Sequence, residues 1–190
     1  NNNLKSFHGI ELLTYFGKVS KPRYIILIIK YITLMNIEKT AVFPGSFDPI
    51  TVGHESIIRR AIPLFDKIIV LIGINAEKKS MFSLAQRLKW LKDTFSDCPT
   101  IEIASHSGLT VDFCRQAGAN YILRGLRTAA DFEFERSIGQ TNKSLISDID
   151  TIFMLTLPEH SYITSSIVRD VFRNGGDVAR FIPNKINIKS

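Results

Sequence analysis

The sequence predicts a five-stranded, doubly wound α/β fold with a parallel sheet. Three observations lead there. From Thr40 onward, apolar runs of strand length alternate with amphipathic runs of helical length. The apolar runs are continuous, as strands covered on both faces require. Each is followed by a helical stretch that can lie against one face of the sheet.

The elements follow in order. Residues 40–43 form a short buried strand, ended by Pro44 and Gly45. Residues 55–65 repeat Ile57, Ile58, Ala61, Ile62 and Phe65 at helical spacing. Residues 67–74 (KIIVLIGI) are rich in β-branched side chains and make the second strand. Residues 84–95 form a helix capped by Ser83, with Leu84, Leu88, Leu91 and Phe95 on one face. A third strand covers 100–104, and a helix over 110–117 stops at Gly118. Residues 121–123 give a fourth strand, 129–145 a longer helix and 151–156 a fifth strand. The last helix spans 165–173 and ends before Gly175-Gly176. In such folds ligands bind at the carboxyl ends of the strands, near the point where strand order reverses.

The chain has 190 residues, 45% hydrophobic and 22% charged, enough for one domain with a full core and an appendage. The net charge of +6 does not point to a nucleic-acid binder. Residues 1–34 carry five basic residues and one acid, while the body is nearly balanced with 19 basic and 17 acidic. The apolar run Tyr24–Ile29 is interrupted by Lys30 and is too short to span a membrane. No cleavage-site pattern follows it. Residues 1–34 read as an N-terminal extension, disordered or upstream of a natural start at Met35; a targeting segment is the alternative. Residues 35–190 read as the folded α/β domain. Cys98 and Cys114 have no metal-ligand spacing and suit a reduced, cytoplasmic protein.

The usual dinucleotide fingerprint, the P-loop and the nucleophile elbow are all missing. The informative stretch is Pro44-Gly45-Ser46-Phe47-Asp48-Pro49-Ile50-Thr51-Val52-Gly53-His54. It lies between the first strand and first helix. Ser46 offers a hydroxyl, Gly53 permits close approach to the backbone, and His54 adds a donor where a helix N-terminus favours an anion. Taken singly, each residue suits an ordinary capped turn. As a set, they point to phosphate binding.

Thr51-Val52-Gly53-His54 resembles the T/HxGH signature of the nucleotidylyltransferase superfamily. Three further segments narrow the likeness: Lys78-Lys79-Ser80-Met81-Phe82, Leu123-Arg124-Gly125-Leu126-Arg127 running into Asp131-Phe132-Glu133-Phe134-Glu135, and Ser161-Tyr162-Ile163-Thr164-Ser165-Ser166. Over residues 39–183 the chain resembles the bacterial phosphopantetheine adenylyltransferases. The resemblance implies a Rossmann-like nucleotidylyltransferase fold and transfer of the adenylyl group of ATP to 4′-phosphopantetheine. The products are dephospho-coenzyme A and pyrophosphate, a step of coenzyme A biosynthesis. It further implies Mg2+, a cytoplasmic homohexamer, and no nucleic-acid or membrane partner.

The same resemblance assigns roles. His54 stabilises charge on the α-phosphate. Ser46, Lys78, Thr110 and Arg124 bind phosphopantetheine, with Lys78 and Arg124 on its phosphate and Thr110 beside its arm. Ser46, Phe47, His54, Gly125, Leu126, Arg127, Glu135, His160, Ser161, Tyr162, Ile163, Thr164, Ser165 and Ser166 contact ATP. Without the resemblance, Lys78 reads as a solvated loop lysine, Arg124 as a surface ion pair and Thr110 as a helix cap. Phe134 stands for a frequent tyrosine and His160 for a frequent tryptophan, which bears on packing beside the adenine. A phosphate monoester loses its second proton near pH ~6, so the reaction needs no general base. A nucleotidylyltransferase with another acceptor, and a nucleotide-binding module without catalysis, are the competing readings.

Overall fold

The computed structural model describes residues 38–75 and 79–188. The extension at 1–34 lies outside them. The elements run β1 (Thr40–Gly45), α1 (Val52–Ala61), β2 (Lys67–Ile74), α2 (Leu84–Thr94), β3 (Ile101–Ser107), α3 (Thr110–Ala117), β4 (Tyr121–Leu126), α4 (Ala129–Leu145), β5 (Asp150–Leu155) and α5 (Ser165–Arg173). The strands form one parallel sheet in the order β3-β2-β1-β4-β5. The order reverses between β1 and β4, which places the switch point there.

Side-chain alternation divides the core. Ala41, Phe43, Ile68, Val70 and Ile72 face one side of the sheet, with Ile57, Ile58, Trp90, Leu91 and Val168 from α1, α2 and α5. Val42, Ile69 and Leu71 face the other, with Val111 and Cys114 of α3 and Ile149 before β5. Both faces of the central strands are thus covered, as their unbroken apolar runs require.

Several boundaries differ from the sequence reading, for physical reasons. β1 continues through Pro44 and Gly45, which pair with Leu71 and Ile72 of β2. The last β1–β4 pair is Val42 with Ile122. Beyond it the β4 side of β1 opens, and the Pro44 carbonyl accepts a hydrogen bond from Arg124 Nη1 at 2.6 Å. A residue's N–H and C=O lie on the same edge of a strand, so the N–H that proline lacks also falls on this open side. β4 likewise runs on to Leu126, held by β5. The first helix starts at Val52, with Thr51 as its cap, and gives way to a 3-10 turn at Ile62–Leu64. Pro63 explains that change, since it lacks the N–H that would continue the helix. Thr110 is the first residue of α3; its cap is Leu109, with no side-chain hydrogen bond.

A candidate active site at the switch point

The splayed ends of β1 and β4 open a cleft of about 350 Å³. Its floor is the turn from β1 to α1. Thr51 caps α1 through a reciprocal pair of contacts with His54. The Thr51 hydroxyl accepts from His54 N at 3.4 Å, and Thr51 N–H donates to His54 Nδ1 at 3.2 Å. The histidine therefore fills the place a glutamate or glutamine takes in a capping box. Thr51 Oγ1 also lies 2.9 Å from Nδ1, a contact either tautomer can make, whereas the Thr51 N–H can only donate and so favours Nδ1 as the acceptor. The proton of the neutral ring then sits on Nε2, while the ring itself lines the cleft.

Phe47 packs its ring edge-on to His54, with centroids 5.3 Å apart, and is itself buried. Its backbone has φ 44°. Gly45 makes room for it, since a Cβ there would lie 2.9 Å from Phe47 Cζ. Gly53 is different: a Cβ would meet only ordinary contacts with His160 and Thr51, at 3.6 Å. Among the described residues no neighbour excludes a side chain at Gly53, which faces the cleft.

The site is cationic, and its cations are held. Arg124 pairs with both carboxylate oxygens of Glu135, Nε to Oε2 at 2.7 Å and Nη2 to Oε1. Arg127 is joined to Asp131 in the first turn of α4, Nε to Oδ2 at 3.0 Å. Enclosure of the ring, then the charges of Arg127 and Arg124, hold the His54 pKa down at about 4, from an ordinary 6.5. His54 is thus neutral at physiological pH in the ligand-free protein, with Nε2–H as its donor.

Two helices aim their N-termini at this cleft. Gly53 and His54 open α1; Thr164, Ser165 and Ser166 open α5. Thr164 caps α5 by accepting from Ile167 N at 3.1 Å. Unpaired N–H groups and the dipole favour an anion at both ends.

Of the sequence-predicted residues, Ser46, His54, Arg124, Gly125, Arg127, Glu135, His160, Ile163, Thr164, Ser165 and Ser166 line this cleft. Thr110 lines a second cleft of about 390 Å³ beside it, with Gly73 and Gly108; Ser46, Arg124 and Glu135 line both. Phe47 and Leu126 are buried, and neither lines the two clefts. The Ser161 hydroxyl donates to Pro158 O at 2.8 Å, and Tyr162 is exposed. Lys78 lies outside the described residues.

Sequence reasoning missed Lys79, Asp48, Asp131, Thr156 and Arg169, all on the first cleft. Arg169 had a usable signal. It stands one helical turn after Ser166, whose hydroxyl it meets at 3.1 Å. Among the described residues no group of three or more His, Cys, Asp or Glu side chains could hold a metal ion.

Comparisons with known proteins bear on the family and the fold. Residues 42–171 match the family model described as cytidylyltransferase-like. A phosphopantetheine adenylyltransferase of Flavobacterium psychrophilum is 56% identical over 151 residues, 80% of this chain and 99% of the relative. One from Cytophaga hutchinsonii is 46% identical over 150 residues, 79% of this chain and all of the relative. A candidate nicotinate-nucleotide adenylyltransferase from Vibrio parahaemolyticus has a similar fold, with a TM-score of 0.59 at 19% identity, over 78% of this chain and 96% of that one.

Proposed function

Given that the chain belongs to the phosphopantetheine adenylyltransferase family, a group of nucleotidyltransferases, we propose that the two joined clefts transfer the adenylyl group of ATP to 4′-phosphopantetheine. ATP occupies the cleft under His54. The acceptor's arm lies in the second cleft beside Thr110. Its phosphate sits where Ser46 and Arg124 serve both cavities. That shared boundary is the observation that carries the reading, because the reaction must bring two phosphates together there.

An acceptor phosphate oxygen attacks the α-phosphorus in line. The bond to the bridging oxygen breaks, and pyrophosphate leaves with that electron pair. The attacking oxygen is already ionised at neutral pH, given a second pKa near ~6, so no base is assigned. The work is positioning and charge stabilisation. Arg124, with Lys79 on the loop after β2, holds the acceptor phosphate against repulsion from ATP, and the family likeness assigns Lys78 to the same phosphate. His54 donates Nε2–H to a non-bridging α-oxygen whose charge grows in the transition state. A neutral imidazole suffices for this, and the arriving polyphosphate raises its proton affinity further. Arg127, Thr164, Ser165, Ser166 and Arg169 hold the β- and γ-phosphates on the N-terminus of α5. Glu135 orients Arg124. Gly125, His160, Ser161, Tyr162 and Ile163 border the nucleotide. Phe47 and Leu126, with buried side chains, reach it through their main chains.

Mg2+ accompanies ATP in this reading and screens the triphosphate. Among the described residues the cleft offers it no free carboxylate: Asp48, Asp131 and Glu135 all accept hydrogen bonds from the protein. Phosphate oxygens and water are then its ligands.

A cytoplasmic homohexamer fits the same reading. Cys98 and Cys114 are free thiols, and burial pushes Cys114 up to about 12. Leu155 on edge strand β5 and Phe134 on α4 are 71% and 67% exposed, apolar side chains that other copies would cover. Among the described residues no helix is long and apolar enough to cross a membrane.

The test is product analysis. The full chain with ATP, Mg2+ and 4′-phosphopantetheine is expected to release pyrophosphate and form dephospho-coenzyme A. Preference for nicotinamide mononucleotide, or for glycerol phosphate with CTP, would overturn the acceptor assignment. ATP binding without turnover would leave only a binding module.

A further inference from the structure

Asp48 lies in the turn between β1 and α1 and is 5% exposed. Both of its carboxylate oxygens are used. Oδ2 accepts from Met81 N and Oδ1 from Phe82 N, each at 2.9 Å. Two successive backbone N–H groups thus converge on one buried carboxylate, a strong charge-assisted arrangement. Met81 and Phe82 end the loop after β2. Lys79 and Ser80, immediately before them, line the first cleft.

A second buried group ties the same segments from the other side. Arg87 of α2 is 6% exposed. It donates to Ser46 O at 2.7 Å and to Phe82 O at 3.1 Å. From α5, Arg169 Nη1 donates to the Asp48 carbonyl, and its nearest approach to the carboxylate is 3.7 Å. Asp48 therefore joins three segments of the site: the turn bearing Ser46, the loop bearing Lys79 and the helix bearing Ser165 and Ser166.

We propose that Asp48 is a positioning residue: by accepting the Met81 and Phe82 N–H groups, its buried carboxylate sets Lys79 and Ser80 at the acceptor-phosphate side of the cleft. The inference rests on the reading of the cleft as an adenylyl-transfer site. Asp48 borders the first cleft, but both of its carboxylate oxygens are taken up by the loop, so its effect reaches the acceptor through Lys79 and Ser80. Chain connectivity alone does not fix that loop. β2 ends at Ile74 and α2 begins at Leu84, so nine residues join them. Removing a charged acceptor from two buried N–H groups loosens this joint, because an asparagine side chain in its place could receive only one of them.

The experiment is steady-state kinetics of Asp48→Asn and Asp48→Glu in the full chain, with amide hydrogen exchange on the same proteins. Asp48→Asn is expected to raise the phosphopantetheine KM by about tenfold or more and the ATP KM by clearly less, since Arg169 meets chiefly the Asp48 main-chain carbonyl. Met81 and Phe82 amides are expected to exchange about tenfold faster, while β1 and β2 amides keep their protection. Asp48→Glu keeps the charge on a longer arm and gives an intermediate acceptor KM. A general fold defect would instead move both KM values and the exchange of the whole sheet. Equal rises in both KM values, or unchanged exchange at Met81 and Phe82, would overturn the proposal. If the unsubstituted chain makes no dephospho-coenzyme A, the functional reading falls. The exchange measurement then still decides whether Asp48 holds the loop.

Discussion

Glu135 of α4 grips Arg124 of β4 with both carboxylate oxygens, and the same guanidinium donates to the carbonyl of Pro44 in β1. One side chain thereby bridges the two strands at the point where their ladder has ended. The fork geometry fixes the plane of the guanidinium and presents it to both clefts. Glu135→Gln is expected to keep the fold and to let Arg124 turn. The acceptor KM should rise by about tenfold, with a smaller effect on the ATP KM. Arg124→Lys should cost more, on the order of a hundredfold in kcat/KM, because an ammonium cannot serve Glu135 and the phosphate in one plane. Initial rates with each substrate varied in turn check both.

Acid stability reports on His54. Its folded pKa of about 4 lies below its ordinary 6.5, so the unfolded chain binds this proton more readily. As pH falls from 6.5 toward 4, protonation favours unfolding, and the stability from keeping this ring neutral is lost. His54→Gln retains a capping-box acceptor and has no such proton. Between neutral pH and pH 4 the unsubstituted protein should lose on the order of 3 kcal/mol more than His54→Gln. Urea titrations of both proteins across that range measure the difference. Parallel curves would mean that His54 titrates normally.

Gly45 is a packing requirement within the site. An added Cβ would press on the ring of Phe47, which is 1% exposed and supports His54. Gly45→Ala is expected to destabilise by roughly 1–3 kcal/mol. Activity should fall as well, because the ring beneath His54 must move. Thermal unfolding with kinetics on the same preparation tests the pairing of effects.

Much of the fold was legible because it rests on continuous apolar runs. Residues 67–74 read as a buried strand and 84–95 as an amphipathic helix, and both are found, the helix ending at Thr94. The ends of β1 and β4 were not legible. Pro44-Gly45 read as the end of the first strand and 121–123 as the whole of the fourth, yet backbone pairing with β2 carries β1 through Gly45 and pairing with β5 carries β4 to Leu126. In the site, the motif residues announced themselves by type. Asp48 and Arg87 did not, since an Asp-Pro turn and a helical arginine are commonplace until the backbone groups they meet, 34 and 41 residues away, are known. The neutral state of His54 was also hidden. It depends on enclosure of the ring and on two arginines, Arg127 and Arg124, brought in by β4 and the residue after it.

The central claim is that the Nε2–H of His54 meets charge that develops on the α-phosphate, and that nothing in the cleft acts as a base. His54→Gln tests it most directly, because glutamine preserves the helix cap while losing the aligned donor. With saturating ATP and 4′-phosphopantetheine, kcat for pyrophosphate release should fall by about a hundredfold to a thousandfold. The ATP dissociation constant should change by less than about threefold, since the contact strengthens only in the transition state. An unchanged kcat with weakened ATP binding would contradict the account and make His54 a ground-state binding residue.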